Sequence, residues 1–419
     1  MLQTISLAPG VSLRAMQTDQ FKTGFFSVNL ICRHDRATAG LASLLPNVLL
    51  RATQKHPSME RVSSHLDALY GACAGALCRR KGEIKLTGLY FDYVEDCFLP
   101  EPIFDRIVDF LRELLFEPLT ENGCFCASIF ESERANLIDA IEASINSRRS
   151  YAVMRMLETM CAEEDYGVPQ LGSVQDAEAL SAEALWAFYQ HLLRHARIEV
   201  YYAGRLRAEE AAARFAPVFS ALGARRLTEV APTVIRAEAP QVRRVEETMD
   251  VTQANLVIGL RTGLTAADPD YPAMTLLSAV YGGGMTSKLF LNGREARSLC
   301  YFVGSTLDKY KGLMVVSAGI DASKRQEAEE AIFAELDACR CGQITDEELS
   351  SARTQVLSSL RRAMDVPSDL DDFYLGLALT GADDLPVLMK KLQNVTRDDL
   401  VRAARRLQTD TIYLLRREA

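Results

Sequence analysis

The sequence predicts an α+β fold: two homologous α/β-sandwich domains in tandem, each an antiparallel-rich sheet packed by helices. Three observations predict it. The chain has 419 residues, more than one hydrophobic core usually holds. One order of elements can be read through it twice. Its strands come mixed with pairs of helices instead of in strict strand–helix–strand alternation, which favours antiparallel sheets.

In the first half, Phe26, Val28, Leu30 and Cys32 alternate along the strand GFFSVNLIC, and a helix follows over about 37–51. ACAGALCRR and GEIKLTGLYFD then form a hairpin-like pair with Gly82 at the turn. A helix over 102–116 puts Phe104, Ile107, Val108, Leu111, Leu114 and Leu115 on one broad face, with Pro118 just past its end. One long helix is expected over about 129–160. Another, starting near Ser181, leads into the strand ARIEVYYAG.

The second half repeats this order. ANLVIGLRT is a strand, 271–280 a helix, and LCYFVGSTL with GLMVVSAGID a hairpin. Helices follow over 323–339 and 345–364, the second opened by the capping box Thr345-x-x-Glu348. The last helix opens with Thr396-x-x-Asp399 and leads into the strand TDTIYLLRR. The closing units, LSAEALWAFYQHLLRHARIEVYYAG and VTRDDLVRAARRLQTDTIYLLRRE, show the repeat best. The expected domains are therefore 1–225 and 251–419. They are joined over 226–250 by a polar linker containing Pro232 and Pro240.

Composition narrows the function. Hydrophobic residues make up 48% and charged residues 25%, the profile of a globular protein. A net charge of −9 provides no basic excess to neutralise phosphates, so nucleic acid is not an expected partner. The opening MLQTISLAPGVSLRAMQ lacks the pattern of a secretory signal, and no run has the apolar length of a membrane span. None of the ten cysteines forms a C-x-x-C pair. They read as buried thiols of a cytoplasmic protein, without a zinc-knuckle pattern.

The most specific segment is YGGGMTSKLFLNGREARSLCYFVGSTL. Gly282, Gly283, Gly284, Ser287, Leu289, Phe290, Arg294, Glu295, Leu299 and Tyr301 keep the register of a block in the insulinase/pitrilysin peptidase family, which the whole chain resembles. The resemblance implies half of a four-domain clamshell. It also implies that Arg294 and Tyr301 hydrogen-bond a peptide substrate in trans, at a zinc carried by the other half. Gly283, Gly284 and Ser287 are implied as substrate-binding neighbours.

That family holds zinc on an inverted motif, His-x-x-Glu-His. Residues four apart share one helix face, so two imidazoles hold the ion while the glutamate activates water. Here the matching helix reads AGLASLLPNVLLRAT, with Ser43 and Asn47 at the histidine positions and Pro46 at the base position. Pro46 either bends the helix or begins a new segment there. Seven residues after Glu133 of the Glu133-Arg134 pair, the third ligand position is Ala140; Asp139 and Glu142 face elsewhere on the helix.

Loss of the metal motif together with retention of Arg294 and Tyr301 resembles the zinc-less paralogues of low-GC Gram-positive bacteria, a likeness the NSRRSYA segment shares. It implies no metal in this chain, zinc in a paralogous partner with an intact motif, and an extended peptide as substrate. A catalytically dead scaffold and a homodimeric peptide-binding chamber are the alternatives. His191 and His195, four apart near a helix end, are read as favouring the helix dipole. His34, His56 and His65 are read as isolated. Cys300 is read as a small strand residue, since the second half has no histidine to activate it.

Overall fold

The computed structural model describes residues 2–418 and divides into two compact units. Unit 1 holds the chain up to Glu142, Val168–Pro232 and Pro367–Leu375. Unit 2 holds Ala143–Gly167, Thr233–Val366 and the chain from Gly376.

The strands and helices of the first half are β1 Leu2–Ala8, β2 Val11–Gln17, β3 Thr23–Arg33, α1 Ala39–Arg51, α2 Met59–Asp67, β4 Cys73–Lys81, β5 Ile84–Val94, α3 Phe104–Phe116, the two-residue β6 Thr120–Glu121 and β7 Cys124–Phe125, α4 Ala127–Ala143, α5 Arg148–Met160, α6 Val174–Glu178, α7 Ala182–His195, β8 Ile198–Gly204 and α8 Ala208–Ser220. Those of the second are β9 Arg243–Thr248, β10 Ala254–Arg261, α9 Tyr271–Gly282, β11 Cys300–Asp308, β12 Leu313–Ile320, α10 Arg325–Arg340, α11 Asp346–Ala363, α12 Pro367–Thr380, α13 Leu385–Asn394, α14 Arg397–Arg406 and β13 Gln408–Arg416. A π-helical segment, Leu289–Ala296, precedes β11.

The duplication is explicit in the sheets. Unit 1 orders its strands β4-β5-β3-β8-β2-β1, and unit 2 orders its own β11-β12-β10-β13-β9. The neighbours are antiparallel apart from one parallel pair at the same place in each plan, β8 with β2 and β13 with β9. In unit 1, Phe26, Val28 and Leu30 of β3 point into a core shared with α1, α3, α7 and α8. The other face of β3 carries Ser27, which donates to Asp371 of α12 at 2.8 Å. Arg79 donates to the same carboxylate at 2.6 Å. In unit 2 every residue of β10 is buried, because α5 covers one face of the sheet. A Cβ at Gly259 would lie 2.6 Å from the sulfurs of Met156 and Met160, so the glycine admits that helix.

Several expectations need correction. The long helix over 129–160 is two helices, because Ser147 leaves helical geometry at ψ 86° and its hydroxyl accepts from Ser150 N to start α5. The polar stretch between the halves ends in a strand, β9. The hairpin of β1 and β2 is an element the sequence reading did not include. The ten cysteines are all free, as expected, but Cys73, Cys97 and Cys341 are exposed. Among the described residues no helix is long and apolar enough to cross a membrane.

Candidate functional site

In unit 2, α9 runs into Gly282, Gly283 and Gly284, where the backbone is crowded. A Cβ at Gly282 would lie 2.7 Å from Ser305 N, and one at Gly283 2.7 Å from Ala279 Cα. The Gln355 amide donates to Gly283 O at 2.7 Å. Ser287 is buried, with its hydroxyl donating to Gly284 O at 2.6 Å. These contacts fix the entry to the π-helical segment, whose wide turns carry Arg294.

The Arg294 guanidinium is half exposed. It lies 4.9 Å from the centre of the Phe290 ring, and its Nε is 3.8 Å from the Glu295 carboxylate. The chain then turns through Ser298, at φ 49°, into β11.

Tyr301 owes its position to a β-bulge. Cys300 pairs with Ile320 and Phe302 with Gly319, so two steps on β11 meet one step on β12, and Tyr301 is the extra residue. Tyr301 is 67% exposed, while Cys300 beside it is buried. Burial pushes the Cys300 thiol up to about 11, which suits a packing residue and not a nucleophile.

Arg294 and Tyr301 line one open cavity of about 400 Å³, together with Glu295, Asp321 and Lys324. Tyr301 and Asp321 also line a second cavity of about 470 Å³ that extends to Arg417. Tyr301 thus stands between two concavities, on the edge strand of its sheet. Asp321, Lys324 and Arg417 are polar neighbours that the motif alone did not reveal.

In unit 1, α1 continues through Pro46 without interruption. Proline supplies no N–H to the Ala42 carbonyl four residues earlier, and the Thr87 hydroxyl of β5 donates to it at 2.7 Å instead. The Ser43 hydroxyl donates to Ala39 O at 2.8 Å, and the Asn47 amide donates to Ser43 O at 3.1 Å.

The ammonium of Lys85, fully buried on β5, donates to Ser43 Oγ at 2.8 Å, to Ala39 O at 2.9 Å and to Gln170 O. Burial lowers the Lys85 pKa, yet three oxygens receive its protons. Ala140 is an exposed methyl on α4, and Glu133 is paired with Arg51.

Zinc, the ion that the family motif would hold, does not fit these residues. Ser43 and Asn47 are turned to backbone carbonyls, Pro46 and Ala140 offer no donor atom, and a cation already occupies the place. Among the described residues no group of three or more His, Cys, Asp or Glu is placed to hold an ion.

Of the histidines, His34 is buried with Nε2 2.9 Å from Val168 O. His56 and His65, read as isolated, lie with ring centres 4.4 Å apart, and His56 is 3.0 Å from Glu113. Lys309, Tyr310 and Lys311 form the turn between β11 and β12, where Lys311 is buried and paired with Glu164 at 2.7 Å.

The repeated sheet plan, the exposed Arg–Tyr pair and the remodelled metal position define a class: a two-domain, peptidase-like α+β protein. Residues 179–356 match the family model described as the peptidase M16 inactive domain. A Bacillus subtilis protein described as a probable inactive metalloprotease is 26% identical over 411 residues, covering 97% of this chain and 96% of that one. The crystal structure of a conserved protein from Enterococcus faecalis superposes with a TM-score of 0.90 at 26% identity, covering 100% and 99% of the two chains. A peptidase M16 inactive domain from Pseudomonas fluorescens shares the fold, with a TM-score of 0.79 at 15% identity over 100% and 98%. Residues 179–356 thus resemble the M16 inactive domain, and the whole chain is similar to a probable inactive metalloprotease.

Proposed function

We propose that this chain is the non-catalytic subunit of a cytoplasmic, heterodimeric zinc peptidase. It binds an extended peptide and supplies Arg294 and Tyr301 in trans to the zinc site of a paralogous partner carrying an intact His-x-x-Glu-His motif. One observation carries the reading: Arg294 and Tyr301 share an open cavity, with Tyr301 pushed outward by a bulge and the guanidinium only loosely engaged.

A cation and a phenol at the edge of one cavity suit the developing negative charge of an attacked peptide carbonyl. The edge strand β11 offers backbone groups to an extended peptide by strand addition. Gly283, Gly284 and Ser287 serve the substrate by fixing the segment that carries Arg294. In unit 1, the Lys85 ammonium beside Ser43 supports the absence of zinc from this chain.

The test is peptide hydrolysis by the purified chain, by its motif-bearing paralogue and by both together. Turnover that requires both chains supports the reading. A stable complex without turnover would make the chain a scaffold, and self-association alone would make it a homodimeric binding chamber.

A further inference from the structure

α7 ends on two imidazoles, His191 and His195, whose ring centres are 4.6 Å apart with planes inclined by 33°. The four-residue spacing puts both on one helix face. Two imidazole nitrogens at about 2 Å from one ion and about 90° apart would bring the ring centres to about 4.5 Å.

His195 is already oriented. Its Nδ1 lies 2.7 Å from the Arg226 carbonyl, which fixes the proton on that nitrogen and leaves the Nε2 lone pair available. This is the arrangement in which a backbone carbonyl holds the far side of a metal-binding imidazole.

Both rings line a largely apolar cavity of about 440 Å³ in unit 1. The walls include Phe188, Leu192, Glu229 and Val230. Cys32, buried on β3, lines it too. The C-terminal end of a helix also favours a positive ion.

We propose that His191 and His195 form a two-imidazole site for a divalent transition-metal ion of the copper–nickel–zinc class, with its remaining coordination positions open to this cavity. The strongest occupant is Cu²⁺, which heads the affinity order for nitrogen donors. No third His, Cys, Asp or Glu among the described residues completes the set. The open positions therefore take water or a small ligand with one donor atom and an apolar body. This site is separate from the degenerate motif on α1 and does not depend on the peptidase reading.

The purified full chain, titrated with Cu²⁺ against a chromophoric chelator, is expected to take up one equivalent at this site. His191→Gln and His195→Gln should each weaken that uptake at least about tenfold. His56→Gln, at the other adjacent pair, should leave it unchanged. Retention of the equivalent in the His191→Gln/His195→Gln double variant, or its loss in His56→Gln, overturns the proposal. A second measurement needs no variant: in the wild-type chain Cu²⁺ should protect His191 and His195 from diethylpyrocarbonate, read by mass spectrometry. Equal modification with and without the metal also overturns it.

Discussion

The ammonium of Lys85 lies 2.8 Å from the hydroxyl of Ser43, the first degenerate ligand position of the family's metal motif. The chain supplies its own cation there, and the same ammonium draws in the carbonyls of Ala39 and Gln170. Reintroducing the missing donors therefore does not by itself rebuild a zinc site. A variant carrying Ser43→His, Pro46→Glu, Asn47→His and Ala140→Glu is expected to take up no zinc while Lys85 remains. Adding Lys85→Met to it should restore uptake. Metal analysis after dialysis checks both, and stoichiometric zinc in the four-site variant would contradict this account of the site.

Thr87 and Pro46 form a matched pair, since the hydroxyl of one serves the carbonyl that the other leaves without an amide partner. Thr87→Val should cost about 1–3 kcal/mol, the penalty of a buried unsatisfied acceptor. In a Pro46→Ala background the helix amide takes over, and the cost should fall by about 1 kcal/mol. A double-mutant cycle in urea measures that coupling.

His34 gives stability a pH dependence. Burial is the main cause that brings its pKa down to about 4 from an ordinary 6.5. The unfolded chain then binds the extra proton between those values, so the stabilisation is full above pH 6.5 and is lost as pH falls toward 4. From pH 7 to pH 5 the chain should lose about 2 kcal/mol through this group. His34→Gln should flatten that part of the curve, as followed by denaturant unfolding at several pH values.

Glu164 anchors a buried charge cluster in unit 2. It lies 2.8 Å from Arg261 and 2.7 Å from Lys311, and Arg261 also reaches Asp410 at 2.7 Å. Burial opposes ionisation of Glu164, but the bonds from Arg261 and Lys311 outweigh it and hold the carboxyl below its usual range. Its stabilisation is present above the ordinary carboxylate pKa and is lost as pH falls through the lowered value. Glu164→Gln removes the buried carboxylate that Arg261 and Lys311 share and should cost about 3–5 kcal/mol, measurable by unfolding at neutral pH.

What was legible in the sequence was local. The block from Gly282 to Tyr301 keeps its register within twenty consecutive positions, and the twofold order of elements follows from runs of alternating or helical periodicity. The bulge at Tyr301 was not legible, because it depends on how β11 meets β12. Lys85, Thr87 and Gln170 were not legible as partners of α1, because pairing across more than forty positions leaves no local mark. The first hairpin did leave one: Pro9-Gly10 precedes the alternation of Val11, Leu13 and Ala15, a turn signal beside a strand pattern. The break before α5 rests on Ser147, a capping residue inside an otherwise helical stretch.

The most direct test of the division of labour is the kinetics of the reconstituted pair with Arg294→Ala and Tyr301→Phe in this chain. Both side chains are on the surface, so the double variant should fold and bind its partner as the wild type does. The account predicts a fall in kcat/KM of at least about a hundredfold, as expected when stabilisation of a developing oxyanion is removed. Unchanged kcat/KM in an intact heterodimer would contradict it.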